Sequence, residues 1–540
     1  MNLRAQTTAA VLVVCIAAAI LGGALLAHAT VFGPTVHSDG VVYLLSADNL
    51  VAGDGFGITW GSGRFHPLAG YPPFYPLVVA LFEVMGLDLV TAARVVGVAA
   101  FGLTILATGF LGYLATGSPG LGLSSSLLLL SSPNLFGQYA SAGSEGVFYL
   151  TGLAGLTTVL LALRSGRQRF WVCAAILVGL GFLSRYVGLS LILTGCVCAL
   201  LGGNRLLRRR IVNTGLFSGI SLGLMVPWLA WAYSMTGTVG ERSVHTIGEV
   251  WAYTEPFRGG LIDILWHWLP GVGGAEVTYR VRVLSLVAAL LILSVGLVIS
   301  LMAARRGHID AHRVIPIARW SGVYLLFGAM YAMVHLAAYL ATYPTPDVSE
   351  RLFTPLYVSG AFASLGLVWI VPELRPSWRP LFAIPGLLTA ALLITNAREL
   401  GPLADSLHRE GGGFTSKYWR SSLTVAAVGA LPEDVPIISN AADALIFLTG
   451  RPTYWIPELM HGTKDPTFAR FGDHPERSEE EYAFRYRGGA LVVFPWIEGQ
   501  LQQLYGDQAR ERLEALTRGL NAHWMAGGNE GIYFYPFENR

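Results

Sequence analysis

The sequence predicts an all-α polytopic membrane domain of about eleven transmembrane helices, followed by a small α/β soluble domain. Two observations carry this. Of the 540 residues, 53% are hydrophobic and only 13% charged, about half the ~25% charged share of soluble globular proteins. An apolar excess of this size needs lipid to cover it, which excludes a disordered chain and an ordinary soluble enzyme. Charge is also placed unevenly. Residues 1–397 hold 22 Lys and Arg against 15 Asp and Glu, and residues 398–540 hold 14 against 19. The first stretch reads as a membrane domain and the second as an acidic tail of near-normal charge density. Neither has the basic excess of a nucleic-acid binder, so no nucleic acid is expected as a partner.

The first apolar run, Thr8 to Phe32, exceeds the roughly 7–15 residues of a secretory leader's apolar core, and reads as a spanning helix. Ten more runs follow, at about 90–115, 120–135, 146–163, 170–184, 187–202, 211–234, 281–303, 316–340, 352–371 and 380–396. Arginines collect in alternate loops: Arg164, Arg167 and Arg169; Arg205 and Arg208 to Arg210; Arg305, Arg306 and Arg313; Arg375 and Arg379. Arg4 precedes the first run. The positive-inside rule makes these loops and the N-terminus cytoplasmic, and an odd span count puts the tail outside. The four cysteines, Cys15, Cys173, Cys196 and Cys198, lie in apolar runs. Cys196 and Cys198 have no His or second Cys pair nearby, so they read as buried small residues.

The long first outer loop, 33–89, opens with Ser38-Asp39-Gly40 and continues with apolar residues at helical spacing until Gly53-Asp54-Gly55. This predicts an interfacial helix with Ser38 as its N-cap. A second apolar run, from Tyr71-Pro72-Pro73-Phe74-Tyr75-Pro76 to Met85, is too short to span and reads as a second interfacial helix. In the tail, Val435–Ser439, Ala490–Phe494 and Gly531–Tyr535 read as strands. Ala442–Leu448 reads as a helix stopped by Gly450, and another helix is expected at about 497–517. No Gly-rich phosphate loop opens these helices, so nucleotide binding in the tail has no support.

Candidate chemistry collects on the outer face. Asp39 stands at a helix start just beyond the first span, where a carboxylate is also favoured by the helix dipole. Glu145, at the outer end of the fourth span, either caps the helix that follows or serves the chemistry. Arg185 is a lone cation in an apolar stretch, either snorkelling to headgroups or holding phosphate. Arg351 follows Glu350, with which it could pair, and precedes Leu-Phe-Thr-Pro. Arg242, His245 and Arg258 lie in the third outer loop. His66 and Tyr71 could line an acceptor groove.

Asp39-Gly40-Val41-Val42-Tyr43 directly after the first helix, then Tyr-Pro-Pro-Phe-Tyr-Pro, resembles the GT-C superfamily of membrane glycosyltransferases, of the protein O-mannosyltransferase and aminoarabinose transferase type. In that superfamily the first outer loop carries a catalytic Asp, often in Asp-Glu-x-x-Tyr. Asp39 and Tyr43 match, and Gly40 replaces the Glu, leaving the backbone there open to a close-lying substrate. The aminoarabinose transferases have Lys before Pro-Pro, where this chain has Tyr71, which points away from their substrate.

The resemblance implies sugar transfer from a polyprenyl-phosphate donor to an acceptor hydroxyl on the outer face, with inversion. Asp39 and Glu145 would then be catalytic, with Arg185, Arg351, Arg242 and Arg258 on the donor phosphate. Tyr43, His66, Tyr71 and His245 would line the acceptor groove. The acceptor could be a lipid, a glycan or a protein. No cofactor is expected, with a divalent metal left open. The alternative function is a transporter or lipid flippase, which would show inverted repeats and mid-membrane ionisable residues. The tail, lacking a matched catalytic set, is expected to shape acceptor access.

Overall fold

The computed structural model describes residues 3–61, 63–202, 206–237, 243–244, 250–268, 278–305, 310–343, 348–371, 383–456, 488–527 and 530–534. Helix α1 (Leu3–Ala29) leads into α2 (Ser38–Ala52), a hairpin of β1 (Gly57–Trp60) and β2 (Arg64–Pro67), and α3 (Phe74–Val84). Then come α4 (Leu89–Thr116), α5 (Pro119–Ser131), α6 (Pro133–Tyr139), α7 (Glu145–Ser165), α8 (Gln168–Ser184), α9 (Leu189–Leu201) and α10 (Leu207–Thr236). Strand β3 (Ser243–Val244), α11 (Val250–His267), α12 (Tyr279–Arg305), α13 (Ala311–Ala341), β4 (Thr342–Tyr343), α14 (Glu350–Ile370) and α15 (Ala383–Glu410) follow. α15 continues unbroken through residues 397 and 398, where charge density changes.

Among the described residues seven helices are long and apolar enough to cross a membrane: α1, α4, α7, α10, α12, α13 and α14. The expectation of about eleven is therefore corrected. The runs at 120–135, 170–184 and 187–202 form helices of 13, 17 and 13 residues. Thirteen residues rise only about 20 Å, against roughly 30 Å of hydrocarbon. Two local features shorten them. Pro133 cannot donate to a preceding turn, so the first run restarts as α6, where the Ser132 hydroxyl accepts from the Leu135 amide. A 3-10 turn at Tyr186–Gly188 separates α8 from α9. The run at 380–396 begins in residues outside those described.

The packing centre is α7, whose residues from Glu145 to Ala162 are almost all buried. It packs against α4, α8 and α13. α13 and α14 are joined by the Trp320 indole donating to the Phe362 carbonyl (3.0 Å) and the Ser321 hydroxyl donating to the Ala363 carbonyl (2.9 Å). Above this bundle α2 and α3 form an apolar cluster with the start of α4, through Val41, Tyr43, Leu44, Tyr75, Val79 and Val96. Both helices expected within 33–89 are thus present. α2 ends at Gly53, whose φ of 89° takes the left-handed cap that glycine tolerates. Its N-cap is His37, one residue before the expected Ser38, and makes no side-chain capping bond.

The tail holds α16 (Lys417–Arg420), α17 (Leu423–Gly429), β5 (Ile437–Ser439), α18 (Ala442–Thr449), β6 (Thr453–Trp455), β7 (Ala490–Val493), α19 (Ile497–Tyr505), α20 (Ala509–Thr517), β8 (Asn521–Gly527) and β9 (Glu530–Phe534). Its open sheet runs β6-β5-β7-β9-β8; β5 is parallel to both its neighbours and β9 antiparallel to β7 and β8. Strands β6 and β8 were not expected, and Gly506–Gln508 divides the expected long helix. The tail is stitched to the chain beyond α1. Val36 and Gly413 form a β-bridge, the Thr415 hydroxyl donates to the Pro34 carbonyl (2.6 Å), and the Arg420 guanidinium donates to the Phe32 carbonyl (2.5 Å).

Candidate active site

Four charged side chains from four separate segments pair with one another, three of them lining one pocket. Asp39 comes from the first turn of α2 and Glu145 from the first turn of α7. Arg185 comes from the turn after α8, and Arg351 from the first turn of α14. Arg351 pairs through Nη2 with Asp39 Oδ2 and through Nε with Glu145 Oε1, the latter at 3.1 Å. Arg185 Nη1 pairs with the same Glu145 oxygen and also donates to Ser144 Oγ (3.3 Å). Acids and cations alternate, Asp39–Arg351–Glu145–Arg185, with no net charge. Asp39, Glu145 and Arg351 line the pocket with His37, Gly40 and Gln138.

Exposure differs along this chain of charges. The Glu145 and Arg185 side chains are 8% and 16% exposed, those of Asp39 and Arg351 38% and 43%. A buried carboxylate between two guanidiniums is a fixed strut. The outer pair is open to an incoming molecule. Burial alone would raise the Asp39 pKa. The charge and hydrogen bond of Arg351, the charge of Arg185 and the Tyr71 hydroxyl outweigh it and hold the carboxyl below its ordinary range. Tyr71 donates to Asp39 Oδ1 at 3.2 Å.

A second layer holds these groups in place. The buried Tyr43 hydroxyl bonds Ser144 Oγ (2.9 Å), and its ring meets Tyr71 and Tyr75 edge-on. Gln138 donates to Thr354 Oγ1 (2.6 Å) and accepts from the Tyr149 hydroxyl (3.0 Å), tying α6 to α14 and α7. Beside Arg185, Tyr186 donates to the Ala69 carbonyl (2.5 Å) and accepts from the Trp228 indole (3.0 Å), which ties the segment after β2 to the arginine turn.

The same architecture occurs in solved structures. ArnT from Cupriavidus metallidurans in the apo state superposes with a TM-score of 0.51 at 14% identity, over 95% of this chain and 97% of that one. Bound to undecaprenyl phosphate, it superposes at 0.52 and 13%, over 97% of each. The archaeal oligosaccharyltransferase AglB from Archaeoglobus fulgidus, in complex with an inhibitory peptide and a dolichol-phosphate, gives 0.51 and 12%, over 96% of this chain and 74% of that one. Residues 70–231 match the family model for dolichyl-phosphate-mannose-protein mannosyltransferase. No curated protein sequence matches the chain significantly.

The chain shares the fold of these ArnT and AglB structures.

The family-model match takes in Tyr71, Glu145 and Arg185, while Asp39 and Arg351 lie outside it. The fold brings together Asp39, Tyr43, Tyr71, Glu145, Arg185 and Arg351. Arg258 stands apart, exposed on α11 with its guanidinium 5.8 Å from the Tyr279 ring centroid. His66 sits on β2 opposite Ile58, away from the pocket lining. Arg242 and His245 lie outside the described residues. Gly40 lines the pocket and also meets another segment of the chain. A Cβ there would stand 2.8 Å from the Ala142 carbonyl oxygen, so the close neighbour is the chain itself. A Glu at this position would force the same carbonyl to shift. His37 and Gln138 were not foreseen. An amide within α6 was the available signal for Gln138, and its place two residues before Asp39 the signal for His37.

Proposed function

We propose that the protein transfers a sugar from a polyprenyl-phosphate donor to an acceptor hydroxyl of a lipid, glycan or protein, with inversion. The observation that carries this reading is the charge chain, with an ionised, half-exposed carboxylate next to a half-exposed guanidinium. The donor's phosphate accepts hydrogen bonds from Arg351, supported by Arg185, and its isoprenoid tail lies among lipid-facing helices. The acceptor oxygen attacks the anomeric carbon as the bond from that carbon to the phosphate oxygen breaks. The acceptor's proton passes to Asp39, and the electron pair leaves with the polyprenyl phosphate. The leaving group is already anionic, so no strong acid is needed, only cations to hold it.

Donor and base are coupled through Arg351. In the resting site this residue holds Asp39 ionised but weakly basic. Turning its guanidinium toward phosphate releases Asp39 and strengthens it as a base. Glu145, buried between the arginines, acts by holding both. We assign the membrane domain to residues 1–397 and the extracytoplasmic domain to 398–540, with the N-terminus cytoplasmic, on the arginine bias.

Asp39→Asn tests the reading. It keeps shape and removes the base, so transfer should fall about 10²–10⁴-fold while binding of undecaprenyl phosphate persists. Transfer near the wild-type rate would remove Asp39 from the mechanism and move the search to Glu145.

A further inference from the structure

Helix α1 leaves the bilayer through a collar of cations. Its apolar run, residues 9–26, holds 18 consecutive residues of the Ala, Val, Leu, Ile, Cys and Gly types. That run rises about 27 Å, close to the roughly 30 Å of hydrocarbon. Residues 27–32 therefore stand at headgroup depth, whichever side of the membrane they face. Three basic side chains gather on them. Arg94, from α4, donates to the Ala27 carbonyl (2.6 Å) and the Thr30 hydroxyl (3.3 Å). Lys417 and Arg420, from α16 of the tail, lie over Phe32, with Lys417 Nζ 5.3 Å and Arg420 Cζ 5.8 Å from its ring centroid. Arg420 also donates to the Phe32 and Thr415 carbonyls.

These cations lack an anionic partner in the chain. Among the described residues none of the three pairs with a carboxylate. Lys417 makes no hydrogen bond there, so the three donors of its ammonium are open, and Arg420 keeps N–H groups beyond those it uses. Both side chains are exposed, as is Tyr418 between them in sequence. Tyrosine is a residue of the aromatic belt at the membrane interface. Each Lys or Arg near an anionic bilayer surface favours contact by about 5-fold. The bilayer already presents phosphates at the depth where these donors stand, which makes lipid the occupant.

We propose that the tail docks on the bilayer at this collar, where Lys417, Arg420 and Arg94 hold the headgroup phosphate of an anionic phospholipid beside α1. The docking does not depend on the proposed transfer or on Asp39. It gives the tail a second hold on the membrane domain, through lipid, beside its direct bonds to residues 32–36.

The experiment places the full-length protein in nanodiscs of phosphatidylcholine, alone or with a third of it replaced by phosphatidylglycerol. Hydrogen exchange of residues 413–421 is followed in both, and inorganic phosphate is added to the first in a separate run. In the wild type, phosphatidylglycerol should slow exchange of this segment by about 5-fold to 25-fold, the effect of one or two cations. High salt should remove most of that slowing. Lys417→Gln should cut the slowing about 5-fold, and Lys417→Arg, which keeps the charge, should retain it. Should Lys417→Gln also loosen the segment in pure phosphatidylcholine, the ratio between the two bilayers still decides, because only a lipid contact makes that ratio fall. Equal exchange of the wild type in the two bilayers would overturn the proposal. So would an unaltered ratio in Lys417→Gln, or full slowing by inorganic phosphate, which would mark an ion site and no lipid surface.

Discussion

Arg185 and Arg351 touch the same Glu145 oxygen, yet their removal should have different consequences. Arg185 and Glu145 are both nearly buried, so Arg185→Ala strands part of a buried charge. Breaking such a pair costs about 3–5 kcal/mol. A lowered melting temperature is therefore expected, with partial recovery when Glu145→Gln is added. Arg351 is nearly half exposed, and Arg351→Ala should leave the melting temperature close to wild type. Donor use should fall by 10-fold to 150-fold, the equivalent of roughly 1.5–3 kcal/mol for a charge-assisted bond. The pH profile gives an independent check. Asp39 is held below the ordinary carboxylate range in the free protein, so the acid limb of kcat/KM should lie at low pH. Once donor phosphate draws Arg351 away, burial prevails and the limb for kcat should lie higher. Arg351→Ala should shift the kcat/KM limb upward as well. Coincident limbs in wild type would argue against the coupling. Asp39, Glu145, Arg185 and Arg351 were legible because each is a charge at the end of an apolar run. Their mutual pairing was not, since it joins residues up to 312 positions apart.

At the scale of elements, α2 shows what a local pattern can and cannot convey. Its apolar spacing and glycine stop predict the helix and its end. Its depth against the 141–145 loop depends on Gly40, which is a contact between distant segments. Gly40→Ala would bring a methyl to 2.8 Å from the Ala142 carbonyl oxygen, and backbone cannot yield as a flexible side chain can. We expect this variant to fold and bind undecaprenyl phosphate, with kcat lowered on the order of 100-fold because Asp39 is displaced. Full activity would mean that the loop shifts freely. The short helices α5, α8 and α9 mislead for a related reason. Apolar residues in sequence report burial, but lipid and protein bury them equally well. Ser184 and Ser190 are fully buried in the bundle. Only the interruptions at Pro133 and Tyr186–Gly188 distinguish a short packed helix from a span, and a turn of that kind is also what separates two spans.

At the scale of the whole molecule, the tail and the segment after α1 are joined. The Gly413–Val36 bridge and the bonds from Thr415 and Arg420 hold the strand that leads into α2. A chain ended after Asn396 loses all of them, and we expect it to lack transfer even where its helices insert. Persistent turnover would restore the tail to a purely peripheral place. Orientation can be settled with single cysteines in a background free of the native four. Leu423→Cys in the tail and Leu206→Cys at the arginine loop are both well exposed. An impermeant maleimide should label the first on intact cells and the second only after lysis; the reverse pattern would invert the topology.

The balanced charge of Asp39, Arg351, Glu145 and Arg185 also bears on how a catalytic cycle ends. A polyprenyl-phosphate sugar is a phosphodiester of about one negative charge, and the polyprenyl phosphate left behind approaches two near neutral pH. The spent carrier therefore holds the arginines more firmly than the loaded carrier it came from. Asp39, protonated by the acceptor, no longer competes for Arg351 at that moment. Expulsion of the carrier thus waits on the return of that proton to water, which recharges the carboxylate and lets it reclaim its guanidinium. If the proposed transfer operates, inhibition by added polyprenyl phosphate should therefore be strongest at low pH, where Asp39 stays protonated longest.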